Sequence, residues 1–216
     1  GVLFLALIWV VFARDLPSVD QLRDYEPPLP TMVRDGEGKP VHSYARERRV
    51  QLEYSEYPQL LVRSFLAAED KTFFSHGGID YPGIASAIIT NLSNSGRPIG
   101  ASTITQQVAK NLLLTNELSY RRKVREAILA MRIEDALTKE QILELYLNEI
   151  PLGRRSFGVQ AASRAYFDKD VGDLNLDQMA FLAILPKAPE KYGRKKFYQE
   201  AVARRNFVLD QMRKNG

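Results

Sequence analysis

The chain has 216 residues, none of them cysteine, with 45% hydrophobic and 26% charged side chains and a formal net charge of +4. Such a composition is ordinary for a folded protein, long enough for one large domain or two small lobes. It excludes disulfides, thiolate catalysis and Cys-ligated metals, and the small positive excess suits an anionic ligand or a membrane surface but is too weak to argue for nucleic acid.

Residues 1–15 open with an uncharged apolar run, Gly1 to Ala13, shorter than the roughly 20 residues that span a bilayer. No small-residue cleavage site follows, so the run reads as the C-terminal part of a transmembrane anchor rather than a signal-peptide core. Residues 16–57 read as a linker rich in proline and charge, then a small β-hairpin in which Met32-Val33 and Val41 flank the turn-forming Asp35-Gly36-Glu37-Gly38. From Pro58 onward the periodicity is helical.

Leu61, Phe65 and Glu69 recur at i, i+4 and i+8, which stacks them on one helix face. A carboxylate continuing an apolar stripe is partly desolvated, and desolvation raises its pKa towards the range a general acid or base needs. Asp70 follows directly. Gly77-Gly78 permits a sharp turn that is expected to bring His76 and Asp80 back towards the pair. Taken alone, the pair is an exposed helix end and His76 a structural histidine.

Between Tyr81 and Asn116 there is no acidic residue, and Ile84, Ile88, Ile89 and Leu92 form an apolar strip. Periodicity allows two readings of that strip, a core helix or a surface that dips into lipid. Next, Thr103 with Gln106 fits a capping box behind Gly100, and a helix N-terminus favours anions. Capping explains those two residues. It does not explain Gln107, Lys110 and Asn111 crowded in beside them, with Gln106 and Lys110 sharing one face and Gln107 and Asn111 another.

Arg121-Arg122-Lys123 opens a helix expected to reach about Leu137, with Arg122 and Glu126 at i, i+4. A solvated basic face is the usual meaning of such a run. Thr138 with Gln141 makes a second capping box, followed by Ile142, Leu145 and Tyr146 on an apolar face and by Asn148. Ala161–Phe167, Met179–Leu185 (stopped by Pro186) and about Tyr198–Met212 complete the helices, with the basic segment Tyr192-Gly193-Arg194-Lys195-Lys196 between the last two.

Four of these segments, in this order, resemble the signatures of the peptidoglycan glycosyltransferases (family-51 glycosyltransferases). They are Glu69-Asp70 through Phe73, His76, Gly78 and Asp80; Gly100 through Ser102-Thr103-Ile104, Gln106-Gln107 and Lys110-Asn111; Arg122-Lys123 with Glu126; and Lys139 through Ile142-Leu143 and Tyr146-Leu147-Asn148. The likeness runs from about Leu16 to Met212 and lies nearer the bifunctional class A penicillin-binding proteins than the monofunctional enzymes. The basic segment at 192–196 departs from the asparagine-proline-rich loop usual at that place. No Ser-x-x-Lys followed by Ser-x-Asn and Lys-Thr-Gly occurs here, so a C-terminal transpeptidase domain is expected elsewhere in the full protein.

The resemblance implies a mainly α, lysozyme-like fold of two lobes, head and jaw, over residues 58–216, with the jaw at about 82–100. It implies polymerisation of lipid II by inverting transfer from a growing glycan on undecaprenyl pyrophosphate, on the outer face of the bacterial inner membrane. Glu69 would be the base and Glu126 the second acidic residue. Asp70, His76, Ser102, Thr103, Gln106, Gln107, Lys110, Asn111, Arg122, Lys123 and Asn148 would contact or support substrate. A divalent metal, Mg or Mn, is compatible with this site but not required, Glu126 being its candidate ligand. The competing readings are a lysozyme-like or lytic enzyme that cuts the same polymer, and a non-catalytic membrane scaffold.

Overall fold

A computed structural model describes residues 12, 13, 15–23, 25, 31–34, 36, 37, 40–44, 50–93, 100–114 and 120–215. The expected anchor lies almost wholly outside them, and among the described residues no helix is long and apolar enough to cross a membrane. The fold is mainly α, as expected. The chain divides into two compact units: residues 1–24 with 72–143, and residues 25–71 with 144–216.

In the first unit, α2 (Tyr81–Ser93) leaves the turn after Gly78, and a short α3 (Ile104–Val108) continues into a π-helical turn, Ala109–Leu113. Helix α4 (Tyr120–Ala136) packs against both α3 and that turn. Lys, Arg, Glu, Ala and Leu dominate α4 and favour the helix intrinsically. Its buried face carries Glu126, Leu129, Ala130 and Ile133, so a carboxylate occupies a core position. Upstream, Leu22 is buried and Arg23 Nη2 donates to Ala136 O at 3.1 Å. That part of the expected linker is therefore docked onto its unit.

In the second unit, strands β1 (Thr31–Arg34) and β2 (Pro40–Tyr44) pair antiparallel, Thr31 opposite Tyr44, with a register shift between Val33 and Arg34. Proline is tolerated as the first residue of a strand. Helix α1 (Gln59–Glu69) follows Pro58, buries Leu61, Val62 and Phe65, and stops at Asp70, whose backbone leaves the helical region. The end of α5 (Lys139–Glu149), then α6 (Val159–Phe167), α7 (Leu176–Ile184), the single-turn α8 (Pro189–Tyr192) and α9 (Tyr198–Asn215) complete the unit. Helix α7 packs on α1 and α9, and Ala180, Ile184, Ala201 and Val208 form a small-residue core there. Burial of side chains such as Ile184 and Val208 contributes about 1.5–3 kcal/mol each, and the alanines less.

The apolar strip on α2 is not core. Ile88, Ile89 and Leu92 are 54%, 65% and 83% exposed, and α2 buries no residue at all. This corrects the core reading of the strip.

Candidate active site

The first unit assembles most of the expected residues. Thr103 caps α3 with a complete capping box: its hydroxyl accepts from Gln106 N at 3.2 Å, and Gln106 Oε1 accepts from Thr103 N at 3.0 Å. The same hydroxyl donates to Gly78 O at 2.7 Å, which ties the helix start to the turn holding His76. Gly78 has φ +91° and lies so close to α4 that a Cβ would sit 2.8 Å from the Ala130 carbonyl, so only glycine fits. Gln106 is buried, while Ser102, Gln107, Lys110 and Asn111 are half-buried. The π turn from Ala109 alters the angular spacing beyond α3, so Lys110 and Asn111 do not follow the plain i, i+4 register with Gln106 and Gln107.

At the centre of α4, Glu126 is 1% exposed and held by two cations. Lys123 Nζ donates to its Oε2 at 2.6 Å. Arg122 Nε lies 2.9 Å from Oε1, a charge contact without hydrogen-bond alignment. Removing a charge from water costs several kcal/mol unless it is paired, and here the pairing is double. Lys123 Nζ also donates to Ser102 Oγ at 2.8 Å. One ammonium therefore joins the second and third sequence segments.

His76 and Asp80 have local roles. Asp80 starts α2: its backbone carbonyl accepts from Ile84 N and its Oδ1 from Gly83 N, while Oδ2 accepts from Thr72 Oγ1 at 2.9 Å. His76 Nδ1 accepts from Gly78 N at 3.2 Å, and its ring stands edge-on to Phe73. Sequence reading missed the neighbouring group of Glu134, Lys139 and Thr105. Lys139 Nζ donates to Glu134 and to His76 O, and Thr105 Oγ1 donates to Glu134 at 2.5 Å. Lys139 stands in the fourth segment, but nothing in its spacing pairs it with a residue on the preceding helix.

The second unit holds Glu69, Asp70 and Asn148. Glu69 is the last residue of α1 and half-buried, and Asp70 is buried. A helix C-terminus is electrostatically a poor place for two adjacent carboxylates. Tyr146 packs edge-on to Phe65, one turn before Glu69, with ring centroids 6.1 Å apart. Asn148, expected on the substrate side, has a structural task instead. Its Oδ1 accepts from Leu52 N at 3.0 Å and from Tyr57 Oη at 2.8 Å, and its Nδ2 donates to Leu52 O at 2.8 Å. Burial, and then the charges of Glu144, Glu56 and Glu149, push the Tyr57 phenol far above its usual range.

Against known proteins, residues 37–213 match the family model described as Transglycosylase. The chain belongs to the transglycosylase family. The resemblance read from the four segments is thereby borne out, and a peptidoglycan glycosyltransferase is the class of enzyme this match supports. Penicillin-binding protein 1A of Rickettsia felis is 48% identical over 208 residues, covering 95% of this transglycosylase chain and 26% of that protein. Penicillin-binding protein 1A of Neisseria flavescens is 43% identical over 216 residues, 100% of this chain and 27% of that one. The chain thus spans about a quarter of the length of these curated relatives. A crystal structure of penicillin-binding protein 1A from Haemophilus influenzae is 26% identical, with a TM-score of 0.45 over 87% of this chain and 18% of that one.

Glu126 does not fit a resident divalent ion in this transglycosylase. Both its oxygens already face cations, at 2.9 and 2.6 Å, so an arriving metal would meet two like charges. Among the described residues no group of three His, Asp or Glu side chains is placed to hold a metal.

Proposed function

We propose that the chain polymerises lipid II, with the growing glycan on undecaprenyl pyrophosphate as donor and lipid II as acceptor. Glu69 takes the proton of the acceptor's 4-hydroxyl. The resulting oxygen forms its bond to the donor's anomeric carbon from the face opposite the pyrophosphate, which departs with the bonding electron pair. Configuration inverts from α to β and no covalent sugar–enzyme intermediate is needed. Pyrophosphate is already a good leaving group, so the protein's main electrostatic task is to hold its charge.

The observation that carries this reading is the Lys123 ammonium shared between Glu126 and Ser102, with Arg122 beside it. Glu126 fixes the direction of both cations and neutralises one, leaving a net positive charge for the pyrophosphate. Lys110 supplements it. Any divalent ion is assigned here to the substrate's pyrophosphate and not to Glu126. Asp70, His76 and Asp80 support the site, with Ser102, Thr103, Gln106, Gln107 and Asn111 lining it; Asn148 is left out because its amide is engaged by the backbone of Leu52 and by Tyr57.

The same reading gives the chain a lysozyme-like arrangement of head and jaw, the jaw resting on lipid through the exposed Ile88, Ile89 and Leu92. Acidic groups are excluded from residues 82–116, as a surface near anionic headgroups requires. A single-pass anchor would place it on the outer face of the inner membrane, with a transpeptidase domain in the full protein.

Incubation with labelled lipid II, and separately with finished peptidoglycan, tests the reading. Polymer from the first and no fragments from the second is the expected result. Release of fragments would make it a lytic enzyme, and silence in both a scaffold. Glu69→Gln should lower turnover by about 10²–10⁴-fold, the usual worth of general-base catalysis.

A further inference from the structure

Tyr146 is 1% exposed, and its hydroxyl, fully enclosed, has no hydrogen-bond partner among the described residues. Buried polar groups are almost always satisfied, and the exceptions call for an explanation. Its neighbourhood supplies one. The ring is stacked edge-on against Phe65, and Phe65 and Glu69 share a face of α1 one turn apart. The ring therefore packs on the face of α1 that leads to Glu69, and Glu69 and Asp70 are near enough for their charges to act on the phenol. Burial first, and then the charges of Glu69 and Asp70, keep the phenol protonated. From α9, Arg204 Nη2 reaches Ala68 O at 3.4 Å at the same helix end. A protonated donor enclosed near a carboxylate is suited to donate to it. Catalytic hydrogen bonds are often open in unliganded structures and close when substrate is bound.

We propose that Tyr146 is a positioning residue for Glu69. When the acceptor is seated, the Tyr146 hydroxyl donates to the Glu69 carboxylate and holds it in the orientation from which it removes the acceptor's proton. The inference rests on Glu69 being the base, as argued above.

Tyr146→Phe deletes the hydroxyl and keeps the ring. Because that hydroxyl has no partner among the described residues, the variant should melt at the same temperature or higher. Its kcat with lipid II should fall about 10-fold, within the range of a lost hydrogen bond to a charged group, while KM stays within about twofold. A donor to the carboxylate favours its charged form, so its loss should move the acidic limb of the kcat–pH profile upward by about one unit. Glu69→Gln is measured alongside. A normal kcat and an unshifted limb in Tyr146→Phe, with Glu69→Gln inactive, would overturn the role of Tyr146 alone. An active Glu69→Gln would overturn the reading of Glu69 itself. A raised KM with an unshifted limb would make Tyr146 a substrate contact, and a lowered melting temperature with unchanged kinetics a structural group; either result rejects the proposal.

Discussion

At the scale of single residues, the two glutamates sit in different surroundings. Glu126 lies in the buried face of a long helix and survives there because Arg122 and Lys123 meet both oxygens. Glu126→Gln removes the compensation and should cost about 1–3 kcal/mol in urea unfolding, discounted because Lys123 is half exposed. It should also raise KM for the lipid-pyrophosphate donor. Added Mg should leave that KM unchanged; restoration by Mg would place the ion at Glu126. Asn148 makes a complementary case in the second unit. Asn148→Ala abandons three hydrogen bonds to Leu52 and Tyr57 and should cost about 2–3 kcal/mol, at roughly 1 kcal/mol per bond. Because those bonds fix residue 52 rather than substrate, the surviving folded enzyme should keep its KM for lipid II.

At the scale of elements, α2 is the helix whose sequence leaves its surroundings open. Its apolar strip is as regular as that of α1, yet α1 buries Leu61 and Phe65 completely while α2 leaves Ile88, Ile89 and Leu92 in the open. The double variant Ile88→Ser, Ile89→Ser should therefore melt within a degree or two of the parent. Core residues would instead cost about 1.5–3 kcal/mol each. Association with anionic liposomes and lipid II turnover should both fall, and unchanged liposome binding would take the lipid contact away from α2. The short α3 is held by other means, namely its capping box, the Thr103–Gly78 bond and the packing of α4. A five-residue helix would not persist alone in water.

At the scale of the whole molecule, three phenols shape the alkaline limb of stability. Burial holds the folded-state pKa values of Tyr57, Tyr146 and the less enclosed Tyr166 above the ordinary value near 10. Above that pH the unfolded chain releases protons that the folded chain keeps. The stability they contribute is complete below about pH 10 and is lost as pH rises further. Urea midpoints should be flat from pH 8 to 10 and then decline, less steeply in Tyr57→Phe. A midpoint insensitive to pH above 10 would show that none of these phenols is held in its neutral form. The absence of transpeptidase motifs from this chain gives a second expectation. A labelled penicillin should not acylate it, whereas a moenomycin-type phosphoglycolipid should bind and block polymerisation. Stoichiometric acylation would overturn the assignment.

What the sequence determined by itself was local. Both capping boxes, Thr103 with Gln106 and Thr138 with Gln141, formed as read, because capping is settled within four residues of chain. The Arg122–Glu126 pair formed for the same reason, as did the stop of α7 before Pro186. The four motifs also carried the family, since their order and residue types survive without any coordinates. Only tertiary structure decided which faces are covered and what a polar side chain meets across distant sequence. Periodicity has no sign for solvent, so the strip on α2 and that on α1 look alike in one dimension. Lys123 reaches Ser102, Lys139 reaches His76, and Asn148 reaches Leu52 because packed helices bring them together. The isolation of the Tyr146 hydroxyl belongs with these. An unsatisfied donor is defined by everything around it, and no spacing along the chain announces it.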